Sequence, residues 1–257
     1  MIEIERDRLP VKVFADRAAM GGAAADHVAN RLRGLLSGDR SRRARLLFAA
    51  AASQAEFLAA LCRADGIDWG RVDAFHMDEY VGLPRDDEQA FGPWLDRHIF
   101  SIVHPGRVEK LDPTTTDPAA ECWRYGALIS AGGLDLALVG IGENGHVAFN
   151  DPHVADFDDP LVVKPVEIDE TSRAQQVRDG AFASIELVPR LAMTVTMSTI
   201  LASRAISVVV PGAAKAPAVA RALDGPIEVA CPASALRRHP DVVMFADVAA
   251  MSAVPRS

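Results

Sequence analysis

The segment LDLALVGIGENGHVAFNDP, residues 134–152, joins a short apolar run to a turn rich in glycine. The run Leu134–Val139 predicts a buried parallel strand. In open α/β sheets, ligands bind beyond the carboxyl ends of such strands. We expect Gly140, Gly142 and Gly145 to take positive φ values and to let the backbone approach a ligand closely. The turn is therefore a candidate binding site.

A histidine and a carboxylate belong to the same turn. Histidine is the residue type that titrates near neutral pH, and a nearby carboxylate such as Asp151, five residues after His146, can fix the tautomer of an imidazole and raise its basicity. An ordinary tight turn, whose histidine only hydrogen-bonds the backbone, is the structural alternative. The combination of glycines, a histidine and carboxylates in one turn favours a functional site.

A second polar cluster, HMDEY at residues 76–80, directly follows the strand predicted at Arg71–Phe75. Adjacent side chains of an extended chain point in opposite directions, so at most one of Asp78 and Glu79 faces a cleft. Two carboxylates at a strand end form either an acid/base pair or part of a solvated turn.

These two clusters together resemble the glucosamine-6-phosphate deaminase (isomerase) family, through HMDEYVGL at 76–83 and GxxGHxAFNxP at 142–152. The resemblance extends, more weakly, from about Val11 to Asp247. Related 6-phosphogluconolactonases share a GxGxDGH turn but have no MDEY run. The resemblance implies an α/β, three-layer Rossmann-like fold, with a mostly parallel central sheet flanked by helices.

An amino-sugar phosphate deaminase opens a pyranose ring, moves a proton between C2 and C1, and releases ammonia. The resemblance implies that His146 serves in ring opening and that Asp78 shuttles the proton. Asp151 would orient His146, at a position where the family commonly has Glu. Asn144 stands where some members have Asp and others Asn. We expect no metal and no cofactor, because no His/Asp cluster has ligand spacing.

The resemblance also implies a phosphate site. Its first segment departs from the family pattern, because alanines at Ala49–Ala52 replace glycines ahead of Ser53 and Gln54. Alanine tolerates positive φ poorly, so this loop must take another path or approach the ligand less closely. The helix that begins there still offers free N–H groups to an anion, although Ser53 as an ordinary N-cap is an equal alternative.

Two other segments complete the implied phosphate site. In the polar segment 169–180, Arg178 is at the position of the family's phosphate-binding arginine, and Arg173 is the second choice. A guanidinium suits phosphate because it donates in a bidentate fork. Lys215 follows Pro211 and Gly212 after an apolar strand, which places an ammonium at the ligand-binding edge of the sheet.

Three functions fit these residues: an amino-sugar phosphate deaminase, a 6-phosphogluconolactonase-like hydrolase, and a non-catalytic sugar-phosphate sensor. The MDEY run disfavours the hydrolase, and the alanine loop favours the sensor. Retention of Asp78, His146 and Asp151 together favours an enzyme, because a sensor needs no proton shuttle. The exact amino sugar and the need for its phosphate stay open.

Composition excludes other classes of partner. A net charge of −8 argues against nucleic acid or an anionic membrane as a partner. No run approaches the ~20 apolar residues of a membrane span. The N-terminus lacks a signal-peptide core, and Cys62, Cys122 and Cys231 suit free thiols in a reducing compartment. We expect one soluble, cytoplasmic domain over residues 1–257, and the resemblance allows a homo-oligomer.

Strands and helices alternate along the chain by hydrophobic periodicity and capping signals. The predicted strands are Val11–Phe14, Arg45–Ala50, Arg71–Phe75, Leu134–Val139, Val162–Ile168, Met193–Met197, Ile206–Val210 and Val242–Ala246. The predicted helices are Asp16–Leu36, Gln54–Ala64, Asp87–Phe100, Asp117–Ser130, Ala213–Leu223 and Pro232–Arg238. Such alternation implies right-handed crossovers and a mostly parallel sheet.

Overall fold

The computed structural model describes residues 1–255 and contains eleven strands in two sheets. The strands are β1 (Ile2–Arg6), β2 (Leu9–Phe14), β3 (Ala44–Phe48), β4 (Val72–His76), β5 (Asp78–Tyr80), β6 (Arg107–Glu109), β7 (Leu136–Val139), β8 (Val163–Glu167), β9 (Leu191–Val195), β10 (Ile206–Val210) and β11 (Val242–Asp247). The large sheet has the order β1-β2-β11-β10-β7-β3-β4-β6, and every pair except β1–β2 is parallel.

Helices follow most of these strands. The α-helices are α1 (Arg17–Leu36), α2 (Ala55–Cys62), α3 (Phe91–Leu95), α4 (Ser101–Val103), α5 (Pro118–Ser130), α6 (Glu170–Arg178), α7 (Met197–Leu201) and α8 (Ala216–Asp224). A π-helical turn, Asp96–Phe100, joins α3 to α4, and short 3₁₀ helices include Ala52–Gln54, Ala213–Lys215 and Pro232–Arg238. None of the helices in the described residues is long and apolar enough to cross a membrane.

The central strands are apolar on both faces because helices cover both. Leu136 and Leu138 of β7 pack into a core with α1, α2 and α3, whereas Ala137 and Val139 pack into a core with α5, α7 and α8. A parallel sheet buried in this way needs continuous hydrophobic strands. The predicted three-layer, mostly parallel α/β fold is confirmed.

Two helix starts follow from capping residues that the sequence displays. The Asp16 carboxylate accepts a hydrogen bond from the backbone N–H of Ala19, and the Asp117 carboxylate accepts one from that of Ala120. Each aspartate satisfies an N–H group that the first helical turn leaves free. The predicted α1 and α5 are therefore found where expected, within one residue.

The sequence predicted one mostly parallel sheet, and two of the predicted strands do not belong to it. Strands β8 and β9 pair with β5 in a separate antiparallel sheet, in the order β5-β9-β8. Strand β9 ends at Val195, because Thr196 caps α7 by accepting a hydrogen bond from the backbone N–H of Thr199. The polar residues Asp78–Tyr80 are a strand because they pair with Ala192–Thr194.

Other boundaries also differ from the predictions. The helix predicted from Asp87 begins at Phe91, because Asp87 closes a turn by accepting a hydrogen bond from the backbone N–H of Gln89. The polar segment 169–180 contains the helix α6, which Asp169 caps by accepting a hydrogen bond from the N–H of Thr171. The edge strands β1 and β6 were not predicted. All three cysteines are free thiols, and Cys62 alone is only partly buried.

Candidate active site

A cleft opens at the carboxyl ends of β3, β4, β7 and β10, where an open α/β sheet binds ligands. Strand β7 is the point at which chain order reverses, because β3 lies on one side of it and β10 on the other. The predicted site residues that line the cleft share this edge of the sheet; they are Ser53, Gln54, Asp78, Gly142, His146 and Lys215.

The His146 imidazole is held by a network around Nδ1. This nitrogen lies 2.8 Å from Oδ1 of Asn144, 3.1 Å from Oδ1 of Asp151 and 2.9 Å from Oγ of Ser172. Asn144 Oδ1 and the Asp151 carboxylate are acceptors, so the arrangement favours a proton on Nδ1. Nε2 makes no hydrogen bond within the described residues, which leaves it available to a ligand.

Asp151 is fully buried and anchors this network. Its Oδ1 accepts hydrogen bonds from Asn144 Nδ2 (2.9 Å) and from the Ser172 hydroxyl, and its Oδ2 accepts one from the backbone N–H of Asp169 (3.0 Å). Burial alone would raise the pKa of Asp151. The hydrogen bond and charge of His146, with the bonds from Asn144 and Ser172, instead hold the Asp151 pKa well below its ordinary value.

Asn144 therefore contacts both His146 and Asp151. Ser172 also contacts both residues, and it was not predicted from the sequence. The side-chain Oδ1 of Asn144 also accepts a hydrogen bond from the backbone N–H of His146 (3.0 Å), which fixes the turn. Ser172 lies on α6, 26 residues from His146, and points into the network. Only the polar character of the segment 169–180 signalled a contribution from this part of the chain.

The glycines of the turn are needed for two different reasons. Gly145 has the predicted positive φ, +93°. Gly140 and Gly142 do not, so that part of the prediction is wrong. Their role is to leave room: a Cβ on Gly142 would lie 2.1 Å from the His146 ring, and a Cβ on Gly140 would lie 2.9 Å from Nε2 of Gln54.

Asp78 begins β5 and faces the cleft, whereas Glu79 points away from it, as the alternation of an extended chain requires. The Asp78 carboxylate makes no hydrogen bond to any residue within 1–255. Burial, and in second place the charge of Glu79, raises the pKa of Asp78 well above its ordinary value. A buried carboxylate in this state is a stronger base than an exposed one.

The alanine loop avoids the strain that its composition suggested. No residue of Ala49–Ala52 has positive φ, and Ala51 is extended with φ −162°. Gln54 is buried and donates from Nε2 to the backbone carbonyl of Val209 in β10 (3.1 Å), so its amide braces the loop against the sheet. Ser53 lines the cleft and makes no side-chain cap, which removes the ordinary N-cap alternative.

Lys215 lies at the end of the 3₁₀ turn Ala213–Lys215 and is 94% buried, with its side chain lining the cleft. Burial lowers the pKa of Lys215, which the nearby acidic groups of Asp179 and Glu143 partly oppose. Its ammonium makes no hydrogen bond or ion pair within the described residues. A buried cation of this kind is suited to an anionic ligand.

The two arginines considered for phosphate are engaged elsewhere. Arg178 is half-exposed, does not line the cleft, and forms an ion pair with Glu143. Arg173 is buried and donates to the backbone carbonyls of Ile185 and Val188, so its contacts are structural. Within residues 1–255, no group of three or more His, Cys, Asp or Glu side chains is placed to hold a metal ion.

Comparison with known proteins gives the family. Residues 15–244 match the family described as glucosamine-6-phosphate isomerases/6-phosphogluconolactonase. The chain belongs to this family. A glucosamine-6-phosphate deaminase of Geobacillus sp. (strain WCH70) is 38% identical over 196 residues, which cover 75% of this chain and 76% of that protein. One from Bacillus velezensis is 38% identical over 188 residues, 72% of this chain and 76% of that protein.

Solved structures agree with this family. A monomeric glucosamine-6-phosphate deaminase superposes with a TM-score of 0.86 at 30% identity, covering 95% of this chain and 99% of that one. A 6-phosphogluconolactonase from Trypanosoma brucei superposes with a TM-score of 0.75 at 18% identity, over 95% of this chain and 98% of that one, and shows the shared fold. The chain is thus a deaminase-like enzyme of the glucosamine-6-phosphate isomerase/6-phosphogluconolactonase family.

Proposed function

We propose that the chain converts glucosamine 6-phosphate and water to fructose 6-phosphate and ammonia. The observation that carries the proposal is the convergence of Asp78, His146 and Lys215 on one cleft at the carboxyl edge of the sheet. These side chains supply a carboxylate base, an imidazole that can both accept and donate a proton, and a cation for phosphate. The names of the relatives support the same substrate.

His146 would open the pyranose ring. With its Nδ1 proton directed at Asp151 and Asn144, the Nε2 lone pair can take the proton of the C1 hydroxyl and deliver it to the ring oxygen. The product is an open-chain aldehyde that keeps the amino group on C2. The Asp151 carboxylate stabilises the imidazolium that forms during this transfer.

Asp78 would then move one proton between carbons. Its carboxylate removes the proton of C2 while the protonated amino group gives one proton to the C1 oxygen, which yields an enolamine with a C1 hydroxyl. The Asp78 carboxyl group then returns its proton to C1. The resulting C2 iminium is hydrolysed by one water molecule, which leaves a ketone at C2 and releases ammonia as the ammonium ion. The raised pKa of Asp78 suits this step, because the barrier falls as the basicity of the carboxylate rises.

Lys215 would hold the phosphate group. The ammonium is buried, lines the cleft and lacks a partner within the described residues. Ser53 and the N-terminus of the 3₁₀ turn Ala52–Gln54 lie along the same cleft and offer donors to an anion. Arg178 could join only after leaving Glu143, so we assign the main phosphate contact to Lys215. The free thiols fit the reducing cytoplasm, which we propose as the compartment.

The test is to mix the purified protein with glucosamine 6-phosphate and to follow ammonia and fructose 6-phosphate together. Equal amounts of both products, abolished in Asp78→Asn and retained in the exposed Asp86→Asn control, would support the proposal. Thermal stabilisation by the sugar phosphate without either product would instead indicate a sensor. Neither turnover nor stabilisation would reject this substrate.

A further inference from the structure

Glu79 is a fully buried carboxylate that lies directly behind the cleft. Its Oε1 accepts hydrogen bonds from the backbone N–H groups of Tyr80 (2.9 Å) and Phe91 (3.0 Å), and its Oε2 accepts one from that of Gly92 (2.8 Å). A carboxylate with three such bonds is held in one orientation. Because it neighbours Asp78 in β5, its charge is fixed close to the cleft.

The hydrogen bonds of Glu79 replace a helix cap that the local sequence lacks. Phe91 and Gly92 are the first two residues of α3, and the preceding Ala90 has no side-chain acceptor for their free N–H groups. Phe91 also lines the cleft. Glu79 therefore fixes one wall of the site as well as the start of a helix.

Other charged and titratable groups face Glu79 from the neighbouring strands. Nδ1 of His76 in β4 lies 3.9 Å from Glu79 Oε2, and burial lowers the pKa of His76 to about 3, so this imidazole is neutral. Lys110, next to β6, attracts Glu79 and is itself paired with Asp96. Burial outweighs the backbone hydrogen bonds and Lys110, and raises the pKa of Glu79 to about 7.

We propose that Glu79 is a positioning residue for the reaction: its charge makes Asp78 a stronger base, while its three hydrogen bonds hold Phe91 against the cleft. This inference rests on the proposed function, since it requires Asp78 to be the proton shuttle. Two like charges on adjacent residues of a buried strand oppose each other's ionisation. Glu79 has three hydrogen bonds that stabilise its charge, whereas Asp78 has no hydrogen-bond donor within the described residues. The repulsion therefore disfavours ionisation of Asp78, and its affinity for a proton rises.

Two substitutions of Glu79 separate the effect of its charge on Asp78 from the effect of its hydrogen bonds on Phe91. Above about pH 7 Glu79 is ionised and disfavours ionisation of Asp78. Replacing Glu79 by glutamine removes that charge at nearly constant shape, so Asp78 ionises at lower pH and becomes a weaker base. The glutamine oxygen can still accept the bonds from Tyr80 and Phe91, and only the bond from Gly92 is lost. Replacing Glu79 by aspartate keeps the charge, but the shorter side chain cannot reach all three N–H groups.

The experiment measures kcat and kcat/KM against pH, with Tm, for the wild type, Glu79→Gln, Glu79→Asp and the control Asp86→Asn. Asp86 is exposed and lines a second cavity, on the side of Glu79 away from the cleft. The substitution Asp86→Asn therefore removes a nearby charge without touching α3. We expect the acidic limb of Glu79→Gln to move to lower pH and its plateau kcat to fall roughly tenfold. We expect Glu79→Asp to keep the limb of the wild type, with a higher KM and a lower Tm.

An unmoved acidic limb in folded Glu79→Gln would overturn the inference, and so would an equal shift in Glu79→Asp. If Glu79→Gln does not fold, a shifted limb in Glu79→Asp alone still overturns it. Failure of the proposed function gives a different result, because Asp78→Asn would then keep its turnover. Loss of turnover in Asp78→Asn with an unmoved limb in Glu79→Gln rejects only the role of Glu79.

Discussion

Gly142 lies directly against the imidazole of His146. A Cβ at position 142 would come within 2.1–2.4 Å of three atoms of the His146 ring, which is closer than any side chain can approach. The φ of Gly142 is not positive, so the backbone itself would accept alanine. The glycine is therefore required by the position of the histidine, and the conformation of the turn does not require it.

We accordingly expect Gly142→Ala to fold, with a loss of stability of about 1–3 kcal/mol, and to lose activity. Displacing the imidazole from its network removes acid/base catalysis in ring opening, which contributes about 10²–10⁴-fold in rate. The matched control is Gly22→Ala, because a Cβ there meets nothing within 4 Å. Steady-state kinetics and thermal melting of both variants check this, and wild-type kcat in Gly142→Ala would contradict it.

The Ser172 hydroxyl bridges Asp151 and His146, so its removal should disturb the imidazole without removing a charge. We expect Ser172→Ala to lower kcat by about tenfold with an unchanged KM, since a single hydrogen bond to a charged group contributes ~1.5–3 kcal/mol at most. Ser130→Ala, an exposed serine on α5, is the control. Equal kinetics for the two variants would show that Asp151 and Asn144 alone hold the ring.

The lowered pKa of Asp151 should make the free energy of unfolding depend on pH in the acidic range. Its pKa in the folded protein is held below the unfolded value of about 3.9. The stabilisation is therefore complete above about pH 4 and is lost as the pH falls through the folded value. We expect Asp151→Asn to destabilise the protein by about 1–3 kcal/mol at pH 7, and this difference from the wild type to shrink below pH 4.

Urea denaturation between pH 7 and pH 3 measures that difference. Asp158→Asn, an exposed aspartate in the same loop region, should show no change across the range. A destabilisation of Asp151→Asn that grows as the pH falls would have the wrong sign for a carboxylate of lowered pKa.

The buried ammonium of Lys215 should destabilise the folded protein while it contributes to substrate binding. Burial lowers its pKa below the unfolded value, so the protonated ammonium costs free energy at pH 7 and the cost disappears only at high pH. We expect Lys215→Met to raise Tm by about 2–4 °C, which corresponds to ~1 kcal/mol in a chain of this size. The same variant should raise KM for glucosamine 6-phosphate at least about tenfold.

Glucosamine without its phosphate tests whether the rise in KM of Lys215→Met comes from a lost contact with the phosphate group. Lys215→Met and the wild type should act on it equally poorly, because the ammonium then has no anion to bind. An unchanged KM for the phosphorylated sugar in Lys215→Met would assign the phosphate to another group, with Arg178 released from Glu143 as the next choice.

The sequence predicted the layers of the fold because the evidence for them is local. The apolar strand β7 and the caps Asp16 and Asp117 need only neighbouring residues to be recognised. The antiparallel sheet was missed because β5 pairs with β9, more than a hundred residues away, and nothing near Asp78–Tyr80 signals that partner. Pairing between distant segments has no local pattern from which to predict it.

The residues of the candidate site were likewise predicted where they are neighbours in sequence and missed where tertiary packing brings them together. His146, Asn144 and Asp151 were found because they occupy one turn, and the structure brings them together. Ser172 was missed because α6 reaches the turn only through tertiary packing. The expectation of positive φ at Gly142 was wrong because spacing cannot distinguish a glycine needed for its backbone from one needed for its missing Cβ.

The most direct test of the account follows a single hydrogen. Glucosamine 6-phosphate carrying deuterium at C2 is converted by the wild-type protein in ordinary water, and the fructose 6-phosphate is analysed at C1 by NMR. Because Asp78 is buried and lacks a hydrogen-bond donor within the described residues, we predict that a substantial fraction of the product carries the deuterium at C1. Complete appearance of the label in water, from the first turnover onward, would contradict a single buried carboxylate as the proton shuttle.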